Sequence, residues 1–155
     1  MKKIVFVCHG NICRSPMAEF IFKKMVADRG LSSEFLIVSR ATSSEEIVGG
    51  EGRPVYPQAK AEMAKHGISC EGKTAQQLKR EDYHAYDLFV CMDAANLRNM
   101  RRICGGDPEG KISLLLDHTG RPRDVADPWY TGDFEATWKD VLQGCTALLE
   151  EILKK

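Results

Sequence analysis

Net charge is the first thing this 155-residue sequence lacks, because 22 Lys and Arg are matched by 22 Asp and Glu. A protein that depends on blanket attraction to nucleic acid or to an anionic lipid surface carries a large positive excess, so neither partner is expected, although a localised charged site is. Cysteines are also too few for a disulfide scaffold. The six stand at positions 8, 13, 70, 91, 104 and 145, with no Cys-x-x-Cys pair of the kind that holds zinc. Thiols in a reducing, cytoplasmic compartment are the expectation. Long apolar runs are missing as well. Met1-Lys2-Lys3 leads into only four consecutive apolar residues, Ile4 to Val7, against about 7 to 15 in a signal peptide and about 20 in a membrane-spanning helix. There is no internal repeat, linker or low-complexity tract. One domain over residues 1–155 is expected, large enough to bury roughly two-thirds of its unfolded surface.

What the sequence does contain is an alternation of strand and helix signals. Ile4–Val7 reads as a strand buried on both faces. It runs into a turn-rich segment from Cys8 to Pro16, where Ser15 reads as an N-cap and Pro16 as the first helical residue. Ala18, Ile21, Phe22, Met25 and Val26 then form an apolar stripe that Gly30 ends. Phe35–Val38 reads as a second strand, and Gln58–His66, between Pro57 and Gly67, as a second helix. Residues 42–57 read as a long loop, and loops of that length are more often functional than idle. Thr74-Ala75-Gln76-Gln77 fits a capping box that opens a short helix. Leu88–Met92 fits a third strand, Asp93 the cap of a helix to about Ile103, and Ile112–Leu116 a fourth strand. Phe134, Trp138, Val141, Cys145, Leu148 and Ile152 mark the final helix by their spacing of three and four. The alternation predicts an α/β fold. A four-stranded parallel sheet with helices on both faces, doubly wound and flavodoxin-like, would bind its ligand beyond the carboxyl ends of its strands.

The segment from Cys8 to Ser15 falls at such an end. A loop between a strand and a helix N-terminus can turn backbone N–H groups inward, and the helix dipole adds about half a positive charge, so phosphate is the natural occupant. Arg14 offers a planar fork that matches two phosphoryl oxygens, and Gly10 is expected to supply a backbone conformation closed to larger residues. The donors that stabilise a phosphate dianion also stabilise a thiolate, which makes Cys8 a candidate nucleophile. The Cys-x5-Arg spacing by itself is a weak signal, and its bland alternative is a packing thiol beside a surface charge. Its place after the first strand, with Gly10 and Asn11 inside it and Ser15-Pro16 leading into a helix, makes it specific.

Val7-Cys8-His9-Gly10-Asn11-Ile12-Cys13-Arg14-Ser15-Pro16 resembles the signature of the low-molecular-weight protein tyrosine phosphatases. The resemblance continues through Ala41-Thr42-Ser43, His66-Gly67-Ile68, Cys91-Met92-Asp93 and Asp127-Pro128-Trp129-Tyr130, over nearly the whole chain. It implies hydrolysis of protein phosphotyrosine and small aryl phosphates through a phosphocysteine, without metal or cofactor. The partners it implies are a phosphotyrosine protein and a phosphate or sulfate anion held by His9, Gly10, Asn11, Ile12, Cys13, Arg14 and Ser15. Within it Cys8 attacks phosphorus, Arg14 holds the equatorial oxygens, and Asp127 serves as acid and then base. Ser15 would donate to the Cys8 sulfur, with Asn11 and Ser39 bracing the loop. Trp129 and Tyr130 would form one wall of an aryl slot and Glu45 the other, where animal members often carry an aromatic. Cys13 would be the redox partner of Cys8, its alternative being a packing thiol.

Cys70, Cys91, Cys104 and Cys145 read as packing thiols, His66 as a helix C-cap, and His84 and His118 as exposed. His9 stands where the family often has Leu, on the loop rim. Three other functions stay open. Phosphoarginine phosphatases on this scaffold tend to have Thr at the position of Ile12, and arsenate reductases have Ser-Gln where this chain has Ser15-Pro16. A non-hydrolytic phosphate-binding or phosphocarrier module would need neither Arg14 nor Asp127. The zero charge is a cancellation: residues 1–30 hold six basic and two acidic side chains, and residues 124–155 three basic and seven acidic.

Overall fold

Ile4 to Cys8 have no solvent-facing side, and the strand that contains them, β1 (Lys2–Cys8), lies inside the sheet rather than at its edge. The computed structural model describes residues 1–154. After β1 come α1 (Arg14–Asp28), β2 (Phe35–Ala41), the short β3 (Ile47–Val48) and β4 (Glu51–Gly52), α2 (Pro57–Lys65) and α3 (Asp82–Ala85). They are followed by β5 (Leu88–Cys91), α4 (Ala94–Cys104), β6 (Ile112–Leu114), α5 (Pro128–Thr131) and α6 (Phe134–Leu153). The main sheet has the order β2-β1-β5-β6 with every pair parallel. This is the four-stranded parallel α/β architecture expected from the alternation.

Successive side chains of β1 serve opposite layers, as the two-residue period of a strand requires. Ile4, Phe6 and Cys8 join the cluster that contains Phe22 of α1 and Trp138 of α6, while Val5 and Val7 join Met100 and Cys104 of α4. The chain leaves β1 for β2 on one side and later crosses to β5 on the other. The carboxyl end of β1 is therefore the switch point, where Cys8 stands opposite Ala41 and Val7 opposite Cys91.

Several boundaries differ from the sequence expectation, each for a tertiary reason. α1 begins at Arg14 after Cys13, with no side-chain cap. Ser15 is not the cap, because its hydroxyl is committed to Cys8 and Asn11. Thr74 to Gln77 form no helix. They run extended, with bridges from Thr74 to Pro54 and from Gln77 to Ala41, because the end of β2 and the 42–57 segment offer unpaired backbone groups there. The 42–57 segment itself holds the β3–β4 hairpin, turned by Gly49 and Gly50 with φ of 60° and 82°, the left-handed pair that a two-residue hairpin turn prefers. The fourth strand stops at Leu114, and Leu115–Thr119 form a 3-10 turn. Leu115 bends away to pack on α6 at Gly144, where an added Cβ would collide with its side chain. His118 is not exposed. Only 16% of its side chain is accessible, and its ring sits between Ser113 Oγ at 2.9 Å and Glu151 Oε2.

Other local signals hold. Asp93 caps α4 in a reciprocal box with Asn96, Gly105 ends that helix at φ 77°, and His66 is the C-cap of α2. All six cysteines are buried and unpaired. Burial pushes the thiols of Cys70, Cys91, Cys104 and Cys145 up, which fits packing thiols.

Candidate active site

Cys8 is 3% exposed, and the chain after it curls back so that two donors meet its sulfur. The Asn11 N–H donates to Cys8 Sγ at 3.3 Å, and Ser15 Oγ lies 2.9 Å from it. The curl depends on Asn11, the only non-glycine residue with positive φ (58°) among the described residues. A left-handed residue with a Cβ costs on the order of 1 kcal/mol. Its side chain offsets that: Oδ1 accepts from the Gln76 N–H at 3.0 Å, and Nδ2 donates to Ser15 Oγ at 2.7 Å and Ser39 Oγ at 2.9 Å. Since Asn11 supplies a proton to Ser15 Oγ, the hydroxyl's own proton is free to point at the sulfur. Gly10 does not have positive φ. A Cβ there would stand 3.2 Å from Glu46 Cγ, a tight contact that the glutamate stem would have to relieve by a shift of a few tenths of an ångström.

Behind the loop, Ser39 Oγ accepts from Asn11 and donates to Glu19 Oε1 at 2.5 Å. Glu19 is 4% exposed and is met by Lys23 at 2.6 Å and Lys73 at 3.7 Å, the latter also donating to the Ser39 carbonyl at 3.2 Å. Burial pulls the Lys73 ammonium down to about 8 although Glu19 favours its charge. Neither residue was found by sequence reasoning. A signal existed for Glu19: Ser15, Glu19, Phe22 and Val26, spaced by four, three and four, form one inward stripe of α1. A carboxylate in that stripe must be paired.

Arg14 opens α1 and is 3% exposed. Its Nη1 donates to Asp93 Oδ2 at 2.7 Å and to the Val125 carbonyl at 2.9 Å, and its Nη2 lies 3.5 Å from Asp127 Oδ2. Burial opposes the guanidinium charge, but Cys8, Asp93 and Asp127 outweigh it and hold Arg14 more firmly protonated than an ordinary arginine. Asp93 is held in turn, because its Oδ1 accepts the Asn96 N–H at 2.8 Å as the α4 cap. Sequence reasoning saw only the cap. Asp127 caps α5 through Oδ1, which takes the Trp129 N–H at 3.0 Å, and Pro128 occupies the first turn. Its Oδ2 is left facing Arg14.

A cavity of about 360 Å³ opens over these groups. Cys8, Cys13 and Arg14 contribute to its lining, as do Asp127, Trp129 and Tyr130, with Glu45 and Glu46 of the 42–57 segment also bordering it. Trp129 and Tyr130 are 59% and 85% exposed, so they offer apolar surface to a ligand rather than to the core. Trp129 rests edge-on against Tyr56 at 5.3 Å, and Tyr56 stacks on Phe134 at 6.0 Å. His9 Nε2 lies 3.1 Å from Glu45 Oε2, joining two exposed side chains that line the cavity. Burial first, then Cys8 and Asp127, push the Cys13 thiol up to about 12. Among the expected site residues only Asn11, Ser15 and Ser39 stand outside the lining, and they brace it from behind.

Among the described residues no group of three or more His, Cys, Asp or Glu could hold a metal, and no helix is long and apolar enough to cross a membrane. A sulfur with two donors, a locked guanidinium and a carboxyl at one cavity can bind a tetrahedral oxyanion, attack its centre and move a proton at its rim.

Residues 3–155 match the family "Low molecular weight phosphotyrosine protein phosphatase". The low molecular weight phosphotyrosine protein phosphatase of Rattus norvegicus is 38% identical over 155 residues, covering 97% of this chain and 95% of that protein. The low molecular weight protein-tyrosine-phosphatase YfkJ of Bacillus subtilis is 36% identical over 157 residues, covering 100% and 98%. The crystal structure of YfkJ superposes with a TM-score of 0.88 over 99% of this chain and 96% of that one. A drosophila arginine phosphatase, 26% identical, superposes with a TM-score of 0.86 over 98% of each chain.

Proposed function

The chain belongs to the low molecular weight phosphotyrosine protein phosphatase family, and on that premise we propose that it hydrolyses phosphotyrosine with Cys8 as nucleophile, Arg14 as phosphate clamp and Asp127 as acid and base. One observation carries the assignment: the Cys8 sulfur, the Arg14 guanidinium and the Asp127 carboxyl border a single cavity at the switch point. The backbone N–H groups of the loop, running into the start of α1, join Arg14 in holding the non-bridging oxygens. The Cys8 thiolate forms an S–P bond as the P–O bond to the phenol breaks, and Asp127 gives its proton to the departing oxygen. Water then attacks phosphorus, Asp127 takes the proton it sheds, and the S–P bond breaks to release phosphate. Cys8 leaves as a thiolate, stabilised by the Ser15 hydroxyl and the Asn11 N–H at the distances given.

Trp129 and Tyr130 supply a flat apolar wall that suits an aryl phosphate better than the shorter phosphoserine. Ile12 in the lining supports the same preference, since it offers no hydroxyl to a guanidinium. A second reading, phosphoarginine, is favoured by Glu45 and Glu46, carboxylates that would pair with a guanidinium on the opposite wall. Matched peptides bearing phosphotyrosine or phosphoarginine separate the two. The phosphotyrosine peptide is expected to have the higher kcat/KM by at least about tenfold, and parity or reversal moves the substrate class to phosphoarginine. Arsenate reduction is disfavoured by the fully buried position of Cys91 in β5, and a carrier role by Asp127.

Cys13 completes the reading as a guard. Once an oxidant converts Cys8 to its sulfenic acid, the Cys13 sulfur attacks it, water leaves and a disulfide forms that thiols can reduce. After brief peroxide exposure and dithiothreitol, the wild type is expected to regain most of its activity and Cys13→Ser little of it. Equal recovery removes Cys13 from this role. A nucleophile of this kind works only while reduced, which supports a cytoplasmic location. Fractionation of cells that recovers the protein outside the cytoplasm would overturn the location without touching the chemistry.

A further inference from the structure

We propose that the phosphate cleft continues into a second subsite that takes the residue adjacent to phosphotyrosine in a peptide substrate, and that this subsite selects lysine or arginine there. A groove of about 430 Å³ borders the cleft and shares Ile12, Glu45, Glu46 and Trp129 with it. A ligand seated on the phosphate loop therefore enters the groove without leaving the protein surface. Beyond the shared residues the groove is lined by Pro54, Val55 and Pro57, which offer no hydrogen-bonding side chain, by Tyr56, and by the largely exposed Arg53. Apolar lining with charge at the edge fits a side chain that has a long hydrocarbon stem and a polar head.

The sign of that head follows from the carboxylates between the two cavities. Glu46 is placed by its neighbours: its stem lies against Gly10, and its carbonyl accepts the Arg53 N–H at 2.8 Å. Its carboxylate meets Arg53 Nε at 3.4 Å and is 26% exposed, partly shielded from water. Glu45 is 69% exposed and reaches His9. Two carboxylates thus face one permanent cation in the lining, so the groove is net negative and a glutamate of the substrate would meet repulsion. Tyr56 ties both cavities to one frame, since its N–H donates to the Ile12 carbonyl at 2.9 Å while its ring backs Trp129. The groove is positioned by the same contacts that position the cleft.

The inference rests on phosphotyrosine as the substrate, and the experiment keeps the two apart. Phosphotyrosine peptides carrying Lys, Ala or Glu on either side of the phosphotyrosine are compared on the wild type, Glu46→Gln and Arg53→Gln. Each rate is divided by the same protein's rate on para-nitrophenyl phosphate, which has no flanking residue. The wild type is expected to favour Lys over Glu on one side by roughly three- to tenfold in kcat/KM, chiefly through KM, as befits partly exposed charge pairs. The ratio should shrink in Glu46→Gln and at raised salt, and widen in Arg53→Gln, which frees Glu46 from its cation. Equal kcat/KM for the Lys, Ala and Glu peptides, or a preference that Glu46→Gln leaves unmoved, overturns the subsite while the phosphotyrosine reading stands. Failure to hydrolyse any phosphotyrosine peptide, with para-nitrophenyl phosphate still turned over, overturns both.

Discussion

Cys8→Ser is expected to lower turnover of phosphotyrosine peptides by at least about 10⁴-fold while affinity for inorganic phosphate changes little. The substitution keeps the size of the group and the groups that hold the anion. Arg14 stays anchored by Asp93 and Val125, and α1 still begins beneath the loop. What disappears is an ionisable sulfur, because two hydrogen-bond donors cannot bring a serine hydroxyl to its alkoxide near neutral pH. Single-turnover kinetics with titration of phosphate measures both halves. Turnover within tenfold of the wild type removes Cys8 as nucleophile, and a parallel collapse of phosphate binding shows that the loop itself has been disturbed.

The second large effect belongs to Asp127→Ala and depends on the leaving group. For phosphotyrosine, whose phenol is a poor leaving group, kcat is expected to fall by about 10²- to 10⁴-fold, and for an activated aryl phosphate by much less. The variant also takes a carboxylate away from Arg14 Nη2, 3.5 Å from it in the wild type. An anionic substrate then meets less repulsion, so KM should fall along with kcat, which a merely structural role for Asp127 does not foretell. A series of aryl phosphates of graded leaving-group pKa is the measurement. A loss that does not grow with leaving-group basicity ends the assignment of Asp127 as the acid.

Legibility in the sequence followed how local each determinant is. β1 was readable because Ile4 to Val7 are continuously apolar, and α6 because its apolar residues keep helical spacing for five turns. Cys8 and Arg14 were readable as candidates from their place between a strand end and a helix start, whereas Asp127 was reached only through the family resemblance. Asp93 was half readable. One oxygen does a local job at the α4 cap, and the other reaches a residue 79 positions away. Thr74 to Gln77 misled because a capping pattern is local evidence, while their real partners lie in β2 and the 42–57 segment. The Glu19 and Lys73 contacts behind the loop, and the seating of Glu46 on Gly10, join segments that only folding brings together. The left-handed backbone of Asn11 was hidden for a similar reason: its side chain is held by the Gln76 N–H and the Ser39 hydroxyl, which come from distant segments.

The strands of the β3–β4 hairpin have two residues each and α5 is a single turn, whereas β1 is paired on both edges and buried from Ile4 to Cys8. Elements with few buried contacts open at low free energy, and a central strand opens only near global unfolding. The floor of the cleft is thus attached to the last part of the molecule to come apart, and its walls to parts that come apart early. Reaction chemistry and partner choice are consequently separable in this fold: side chains at Glu45, Glu46, Trp129 and Tyr130 can be exchanged over evolutionary time at little risk to the cooperative unit that carries Cys8.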